Sequence, residues 1–245
     1  MWSSISVVIP VYNSSDSLEE LYERLVGVLK RICHCYEIVM VDDGSRDNSF
    51  ARILQLRERN RQVKAIRLAA NFGQQNALLC GFHYSTGEYI VTIDDDLQHW
   101  PEEIEKLITA LDQGYDIIFG IPKSNRQSLY RRLGSKLTGF LFDQVTSKPP
   151  GIKISSFRAF QGGLLKKIIS HKTSFVYISA IIFKYTDQAE NVYVQHDSRR
   201  YGRSNYNFIK LIGLFVKLYL YYAKPGLLKI FAAKKPQFVI KDIRL

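Results

Sequence analysis

Cysteine is scarce in this chain: its 245 residues include only Cys33, Cys35 and Cys80. Three cysteines are too few for the disulfide framework that stabilises many small secreted domains, so the sequence favours a reducing compartment. Cys33 and Cys35 flank His34, but no second Cys/His pair follows nearby. A zinc site at this point is therefore disfavoured against an ordinary helix-to-strand connection.

Long apolar runs are also missing. Residues 5–9 are apolar, but no basic segment precedes them and Pro10 follows at once, so no signal peptide is expected. The apolar stretch Phe208–Tyr222 is shorter than the roughly 20 residues that a bilayer-spanning helix needs. The sequence thus predicts no membrane-spanning helix.

Negative charge is sparse towards the C-terminal end. The chain carries a net charge of +11, and from residue 196 onward eleven Lys and Arg stand against two Asp and Glu, a net of +9. A basic tail on a nearly neutral body indicates a phosphate-bearing partner: nucleic acid, anionic lipid or a phosphorylated substrate. The hydrophobic fraction of 46% is typical of a globular chain with a large core and excludes disorder.

Two common nucleotide-binding signatures are absent. Neither Gly-x4-Gly-Lys-Ser/Thr nor Gly-x-Gly-x-x-Gly follows the first apolar strand. These absences argue against a P-loop ATPase and against a Rossmann dehydrogenase.

What the sequence does contain is a regular alternation of strands and helices. The β-branched run Ile5–Val11 predicts a buried parallel strand, and apolar residues at helical spacing from Leu18 to Leu29 predict the helix after it. Further strands and helices are predicted, in alternation, at Tyr36–Val41, 48–59, Val63–Leu68, Asn71–Tyr84, Tyr89–Ile93, Pro101–Asp112 and Tyr115–Gly120. This pattern predicts an α/β domain with a mostly parallel central sheet.

Polar clusters follow three of the predicted strands, at Pro10–Asn13, Asp42–Ser45 and Asp94–Gln98. In parallel sheets, ligands bind beyond the carboxyl ends of the strands. We therefore expect these three clusters to meet at one edge of the sheet and to form a binding site.

The last of these clusters begins with three consecutive aspartates. If the strand continues briefly, Asp94, Asp96 and Gln98 point to one side. Two carboxylates and an amide oxygen suit Mg²⁺ or Mn²⁺, and a cation with a bound diphosphate would offset their charge. The alternative is a solvated turn before a helix that carries Glu102 and Glu103 in its first turn.

Asp42 and Asp43 close the second strand. A carboxylate at this point can accept a hydrogen bond from a nucleobase N–H or a ribose hydroxyl. The alternative is an Asx-type turn through Gly44.

Five stretches resemble, in order, the motifs of family 2 glycosyltransferases of the GT-A fold: VVIPVYN, VDDGSRDNS, NFGQQNALLCGF, GEYIVTIDDDLQHWPE and RRYGRSNY. The likeness covers roughly residues 4–206 and extends to the dolichyl-phosphate mannose synthases and bacterial polyprenyl-phosphate sugar transferases. It implies a metal-dependent, inverting transfer of a sugar from a nucleotide-diphospho-sugar in cell-surface glycan biosynthesis.

The resemblance also implies roles for individual residues. Those matching the nucleoside pocket are Pro10, Tyr12, Asn13, Asp42 and Asp43. Those matching the metal and diphosphate site are Asp94, Asp96 and Gln98, with Asp95 between the first two. Asn71 and Gly73 match a motif that flanks the donor. Arg199, Gly202 and Ser204 match a loop that closes over phosphate.

The kind of acceptor is predicted from a pair of acids that residues 121–195 lack. Transfer to a hydroxyl needs a base, and family members that use one usually carry a paired acid after the Asp-x-Asp region. No such pair occurs there, which favours a polyprenyl phosphate, an acceptor that is already anionic. Candidate catalytic residues are then Asp96 and the phosphate-binding arginines Arg132, Arg158 and Arg199. A soluble family 2 transferase acting on a glycan hydroxyl remains the alternative.

Residues 207–245 are predicted to form a basic, amphipathic tail behind a transferase domain of residues 1–206. Lys210, Lys217 and Lys224 recur every seven residues and so share one helical stripe. This indicates helices lying in the membrane interface, with lysines towards lipid phosphates, and hence a cytoplasmic protein peripheral to the inner membrane face. The alternative is a helix packed on the body or on a partner chain, and a homo-oligomer stays open.

Two other classes of function are disfavoured. A nucleic-acid-binding protein could use the basic tail, but no nucleic-acid motif is present and Asp94–Gln98 would have no role. A catalytically inactive scaffold would not need the intact Asp-x-Asp and Arg199. We therefore expect no nucleic-acid partner.

Overall fold

A computed structural model of the chain describes residues 1–123, 146–197, 208–222 and 237–245. The strands in these ranges are β1 Trp2–Val11, β2 Cys33–Asp42, β3 Val63–Leu68, β4 Tyr89–Thr92, β5 Ile117–Pro122, β6 Arg158–Gln161, β7 Ala189–Val194 and β8 Ile240–Arg244. The helices are α1 Leu18–Ile32, α2 Ser49–Arg59, α3 Gln74–His83, α4 Ile104–Leu111 after a 3-10 turn at Pro101–Glu103, α5 Gly162–Ser170, α6 Ile178–Ile182 and α7 Phe208–Tyr222.

The eight strands form one sheet in the order β7-β5-β6-β4-β1-β2-β3-β8. Strands β4, β1, β2 and β3 are parallel neighbours, and β5 is parallel to β7. Only β6 and β8 run the other way. The prediction of an α/β domain with a mostly parallel sheet is confirmed. The carboxyl ends of the parallel strands share one edge, called here the strand-end edge, where β6 begins.

Helices cover both faces of the sheet because the central strands are apolar on both sides. In β1, Val7 and Ile9 face a core shared with α1, α2 and α4, whereas Val8 faces a second core shared with α3, α5 and α6. Helix α1 buries Leu18, Leu21, Leu25 and Leu29, the apolar positions that its sequence spacing indicates.

Several element ends differ from the expectation. Helix α3 begins at Gln74 rather than Asn71, because Gly73 has a positive φ of 90° that no helix accommodates. Strand β4 ends at Thr92, so the three aspartates lie in a turn beyond it. Strand β2 already begins at Cys33, directly after α1, which leaves Cys33 buried and Cys35 exposed within a strand.

The C-terminal stretch contributes a strand to the sheet. Strand β8 pairs with β3, with Ile243 opposite Ile66. The division into a transferase domain of residues 1–206 and a tail of residues 207–245 stays a prediction. Helix α7 buries Leu218 and Tyr222 against the body, where the Tyr222 hydroxyl donates to the Phe175 carbonyl at 2.7 Å. The second apolar piece of the predicted tail, residues 227–233, lies outside the described residues.

None of the helices in the described ranges combines the length and apolar character that crossing a bilayer requires.

Candidate active site

At the end of β2, Asp43 shapes the loop that leads into α3. Its Oδ1 accepts the Phe72 N–H at 2.7 Å, and its Oδ2 accepts the Gly73 N–H at 2.8 Å. A side chain at Gly44 would meet the Ala70 carbonyl carbon at 2.6 Å, so only glycine lets the two loops approach this closely. Burial raises the pKa of Asp43 to about 6, although the two backbone donors lower it. Both carboxylate oxygens of Asp43 thus fix the backbone of the loop at Phe72 and Gly73.

Asp42 is fully buried beside Asp43. Its Oδ1 accepts the Ser45 N–H at 3.2 Å, and Arg67 Nε lies 3.3 Å from its Oδ2 without the alignment of a hydrogen bond. Burial raises the pKa of Asp42, while Ser45 and Arg67 lower it. Both acids of this pair therefore turn inward.

Asp95 ties the turn after β4 to the end of β1. Its Oδ2 accepts the Tyr12 N–H at 3.0 Å, and its backbone carbonyl accepts the Ser17 hydroxyl at 2.5 Å. Burial raises the pKa of Asp95 to about 6, with smaller contributions from Asp94 and Asp96. Asp95 therefore links the ends of β1 and β4, and Asp94 and Asp96 lie on either side of it.

Asp94 faces α3 and the segment before β6. Its Oδ1 accepts Gln74 Nε2 at 2.6 Å, and its Oδ2 accepts the Ser156 hydroxyl at 2.5 Å. Three separate parts of the chain thus meet at this carboxylate. Neither Gln74 nor Ser156 was identified from the sequence, because a single polar residue in a loop carries no periodic or spacing signal.

Asp96 lies on the other flank of the turn, near the segment after β7. Its Oδ1 accepts the Gln98 N–H at 3.2 Å, and Leu97 between them has a φ of 59°. Gln98 in turn donates Nε2 to the Asp197 carbonyl at 3.4 Å, and Asp197 donates its N–H to the Gln98 carbonyl at 2.9 Å. These hydrogen bonds therefore fix the position of the turn relative to residue 197.

Two histidines lie below Asp96. His99 is buried, with its ring centroid 4.9 Å from that of His196, and residues 99 and 196 form an isolated antiparallel bridge. Burial, with a smaller contribution from His196, lowers the pKa of His99 to about 4. Both rings are consequently neutral at physiological pH.

The end of β1 carries further residues that were predicted to line the nucleoside pocket. Pro10 is buried within β1, opposite Val41, whereas Tyr12 is 41% exposed at the strand-end edge. Asn13 has a φ of 52°, and its Oδ1 accepts the Arg46 N–H at 2.8 Å, which binds this loop to the one after β2. Asn71 is exposed on the loop that Asp43 holds. The expected meeting of the three polar clusters at one edge is therefore present.

Arg158 does not occupy the position expected of an acceptor-phosphate ligand. Its side chain is 2% exposed, and it donates Nε to the Thr92 hydroxyl at 3.2 Å and Nη1 to the Ser179 hydroxyl at 2.9 Å. Burial lowers its pKa to about 10, so the group still carries its charge at neutral pH. A direct phosphate contact by Arg158 conflicts with this position, since the guanidinium lies beneath the site.

The other residues predicted to contact phosphate lie outside the described residues. They are Arg132, Arg199, Gly202 and Ser204. Their roles stay predictions.

The oxygen ligands at this edge are of the kind that a hard divalent cation binds. Protein acids alone, however, do not complete a metal site among the described residues. Within residues 1–123, 146–197, 208–222 and 237–245, no group of three or more His, Cys, Asp or Glu could hold a metal ion. Asp94 and Asp96 are half-buried carboxylates on the two flanks of one turn. Mg²⁺ and Mn²⁺ commonly take one or two carboxylates and complete their shell with water and substrate phosphates. The residues present suit that mode of binding.

Comparison with known proteins gives the family. The model for glycosyl transferase family 2 matches residues 6–169. The chain is 35% identical over 215 residues to the undecaprenyl-phosphate 4-deoxy-4-formamido-L-arabinose transferase of Edwardsiella ictaluri, and 34% identical over 215 residues to that of Klebsiella pneumoniae. Each match covers 87% of this chain but 66% of the relative, so the chain spans slightly less than two thirds of their length.

The fold has solved counterparts. The chain is similar, with a TM-score of 0.60 and 16% identity, to Mycobacterium tuberculosis glucosyl-3-phosphoglycerate synthase in complex with Mn²⁺, UDP and glucosyl-3-phosphoglycerate. The similarity covers 88% of this chain and 76% of that one. At this identity the likeness concerns the fold, which is the GT-A arrangement expected from the sequence.

Proposed function

The chain belongs to glycosyl transferase family 2, and on that premise we propose that it moves a sugar, with inversion, from a nucleotide-diphospho-sugar to a polyprenyl phosphate. The observation that carries this proposal is its 35% identity, over 87% of its length, to a protein named for sugar transfer to undecaprenyl phosphate. The strand-end edge supplies a site of the right chemistry for the donor.

The donor would lie across the ends of β1, β2 and β4. Tyr12, exposed beside the loops that Asp43 and Asn13 hold together, offers an aromatic face to a nucleobase. Asp43 acts by fixing the Phe72–Gly73 backbone, since both its oxygens already accept N–H groups. We assign it a role in shaping the nucleoside pocket rather than in touching the base.

Asp94 and Asp96 would hold Mg²⁺ or Mn²⁺ together with the donor diphosphate, with Gln98 as a further oxygen ligand. When bound, the cation would offset the charge that develops on the departing nucleoside diphosphate. By holding that cation, the two carboxylates would fix the position of the diphosphate.

Two of the single acids that could serve as a base for a hydroxyl acceptor, Asp187 and Glu190, lie away from the strand-end edge. Asp187 precedes β7 and Glu190 is its second residue, so both lie at the edge of the sheet opposite the strand ends. Asp187 accepts from Gln188 Nε2, and Glu190 accepts from the Asn191 N–H. Neither acid is placed to deprotonate a hydroxyl at the strand-end edge, whereas a phosphate oxygen is already anionic and attacks unaided.

Attachment to the membrane would bring the enzyme to its lipid acceptor. Helix α7 turns Val216 and Tyr219 to solvent, 46% and 57% exposed, while Leu218 and Tyr222 pack inward. With a net charge of +9 from residue 196 onward, this face complements an anionic lipid surface. We propose peripheral attachment at the cytoplasmic leaflet.

A donor and acceptor screen tests the activity. Purified chain with Mn²⁺ is mixed with each of several UDP-, GDP- and dTDP-sugars, with polyprenyl phosphate in one arm and unphosphorylated polyprenol in the other. Mass spectrometry scores the lipid-linked product. We expect product with one donor class and only from the phosphate; product from the hydroxyl arm would favour the alternative of a hydroxyl acceptor.

Vesicle sedimentation tests the attachment. Binding to anionic vesicles is expected at low salt, weaker binding at high salt, and a several-fold loss in Val216→Ser/Tyr219→Ser. Val239→Ser, which removes a similarly exposed apolar side chain beside β8, is the matched control. Equal binding of neutral and anionic vesicles, or none to either, would contradict the proposal.

A further inference from the structure

Among the three consecutive aspartates, Asp94 is held differently from its neighbours. Asp95 accepts the backbone N–H of Tyr12 and a side-chain hydrogen bond from Ser14, and Asp96 accepts the backbone N–H of Gln98 two residues on. Asp94 accepts side-chain donors on both oxygens, from Gln74 at the start of α3 and from Ser156 before β6, at 2.6 and 2.5 Å. Two elements distant in sequence thus fix the plane of one carboxylate.

Both donors to Asp94, the Gln74 amide and the Ser156 hydroxyl, are uncharged. A lysine or arginine in either place would form an ion pair and offset the negative charge that a divalent cation needs. An amide N–H and a hydroxyl instead orient the carboxylate without neutralising it. Outer partners of this kind orient metal ligands in other proteins.

Ser156 is itself held from below by a buried chain of contacts. Its backbone carbonyl accepts the Thr92 hydroxyl, whose oxygen accepts Arg158 Nε at 3.2 Å. Arg158 reaches on to Ser179 at 2.9 Å, and the neighbouring Ile178 N–H donates to Gln75, the residue after Gln74. The two donors to Asp94, Gln74 and Ser156, are therefore connected to each other through these buried contacts.

Arg158 has no direct counter-ion in the part of the chain that the structure describes. Its partners are two hydroxyls and the ring of Phe119, whose centroid lies 5.9 Å from its Cζ. A buried charge without an ion-pair partner is costly, so its retention needs a reason. Asp94, two hydrogen-bonded residues away, supplies one: opposite charges across a buried network stabilise each other.

We propose that Gln74 and Ser156 are positioning residues that set the orientation of Asp94 towards the cation of the donor diphosphate, and that Arg158 acts at one remove by fixing Ser156 through Thr92. The proposal rests on the proposed function, since it assigns Asp94 to that cation. It replaces the phosphate contact predicted for Arg158 with an indirect role.

Calorimetry without acceptor tests the proposal. Mn²⁺ is titrated together with whichever of UDP, GDP and dTDP the wild-type chain binds. Ser156→Ala is expected to weaken binding by about tenfold or more, the usual effect of losing an outer partner of a metal ligand. Ser156→Thr keeps the hydroxyl and should recover most of the affinity. Ser155→Ala is the matched control, because Ser155 contacts the Phe157 N–H rather than Asp94.

Kinetics separate positioning from general damage. In Ser156→Ala and Gln74→Leu, the Mn²⁺ concentration for half-maximal rate should rise by about tenfold, while the rate at saturating Mn²⁺ stays within a few-fold of wild type. Arg158→Lys, which keeps the charge but not the two-hydroxyl geometry, should shift the Mn²⁺ requirement less. Thermal unfolding verifies that each variant is folded.

The outcomes are distinct. A Ser156→Ala chain that binds Mn²⁺ and nucleotide like wild type overturns the inference and leaves the proposed function intact. A wild-type chain that binds neither Mn²⁺ nor any of the three nucleotides overturns both. A folded Ser156→Ala chain whose saturated rate collapses at unchanged Mn²⁺ requirement assigns Ser156 to the reaction itself and also contradicts the inference.

Discussion

Towards the amino ends of β3 and β4, the buried acid Glu37 lies 2.6 Å from Lys64 Nζ and also accepts the Ser6 hydroxyl and the Thr86 N–H, each at 2.6 Å. At the strand-end edge, Asp43 and Asp95 are held by backbone and hydroxyl donors, and neither has an ion pair with a described residue. The pKa of Glu37 is lowered by Lys64 and its hydrogen bonds despite burial, whereas burial raises the pKa of Asp43 and of Asp95 to about 6.

The contrast separates an acid that is matched by an ion pair from acids that are held by hydrogen bonds alone and that support the loops around Asp94 and Asp96. A carboxylate matched by a buried lysine is complete without any partner molecule. Asp43 and Asp95 instead hold the loops at the edge where parallel sheets bind ligands, next to the half-buried Asp94 and Asp96. Substitutions at the two edges should therefore affect different quantities.

The largest expected effect is at the strand-end edge. Asp94→Asn/Asp96→Asn should lower the sugar-transfer rate by about 100-fold or more, the scale of losing preorganised charge stabilisation in a transition state. Its free energy of unfolding should change little, because both side chains are half-buried in a turn. Product formation and urea unfolding measure the two quantities. Asp112→Asn, which removes an exposed acid after α4, is the control, and a double variant with intact turnover would refute the assignment of this edge.

At the opposite edge, Glu37→Gln should act in the reverse sense. Losing one partner leaves Lys64 with a buried, unpaired charge, and we expect about 2 to 3 kcal/mol of destabilisation, since both side chains retain slight exposure. The rate per folded molecule should stay at the wild-type level.

A second substitution sharpens that experiment. Glu37→Gln/Lys64→Met removes both charges and should recover part of the lost stability, as double-mutant cycles reveal for coupled pairs. A Glu37→Gln chain of full stability but reduced turnover would break the distinction between the edges.

The pH dependence of stability should have opposite signs at the two edges. Asp43 has a folded-state pKa of about 6 against 3.8 unfolded, so its contribution is fully present below 3.8 and is lost as the pH rises through about 6. The shift corresponds to about 2 to 3 kcal/mol. Glu37, with a lowered pKa, contributes stability above its unfolded pKa that is lost as the pH falls.

Urea unfolding of the metal-free chain between pH 4 and 7 measures both slopes. Asp43→Asn should make the decline towards neutral pH shallower but not abolish it, because Asp95 also has a pKa of about 6; its amide faces a backbone N–H and lowers stability throughout. Glu37→Gln should leave that decline unchanged. A decline in Asp43→Asn as steep as that of the wild type would exclude Asp43 as one of its origins.

The sequence predicts the elements from β1 to β5 because apolar periodicity and polar residues after strands are local signals. The run from Ile5 to Val11 is β-branched and continuous, so its burial could be read directly. Strand β6 has four residues and begins with Arg158, and β8 reads Ile-Lys-Asp-Ile-Arg, so neither carries a clear alternation. Their pairing depends on the rest of the sheet.

The site was predictable in its location more than in its contacts. Three polar clusters after strands had to meet at one edge, but which carboxylate turns inward depends on backbone geometry that the sequence does not reveal. Asp43 and Asp95 became supports because loop N–H groups reach them. Arg158 was expected at a phosphate because an arginine is usually exposed, and its burial follows from tertiary packing alone.

The smallest expected effect compares two serines that each donate to an acid. Ser6→Ala removes the donor to Glu37 and leaves the buried Gly87 N–H, now 2.7 Å from the Ser6 oxygen, without its acceptor. This should cost about 1 kcal/mol of stability and leave Mn²⁺ binding unchanged. Ser156→Ala should do the reverse, because its partner Asp94 lies at a half-buried turn where the carboxylate regains water. Urea unfolding and Mn²⁺ calorimetry on the same two variants compare the edges directly, and a Ser6→Ala chain with weakened Mn²⁺ binding would mean that the two edges are coupled through β1 rather than independent.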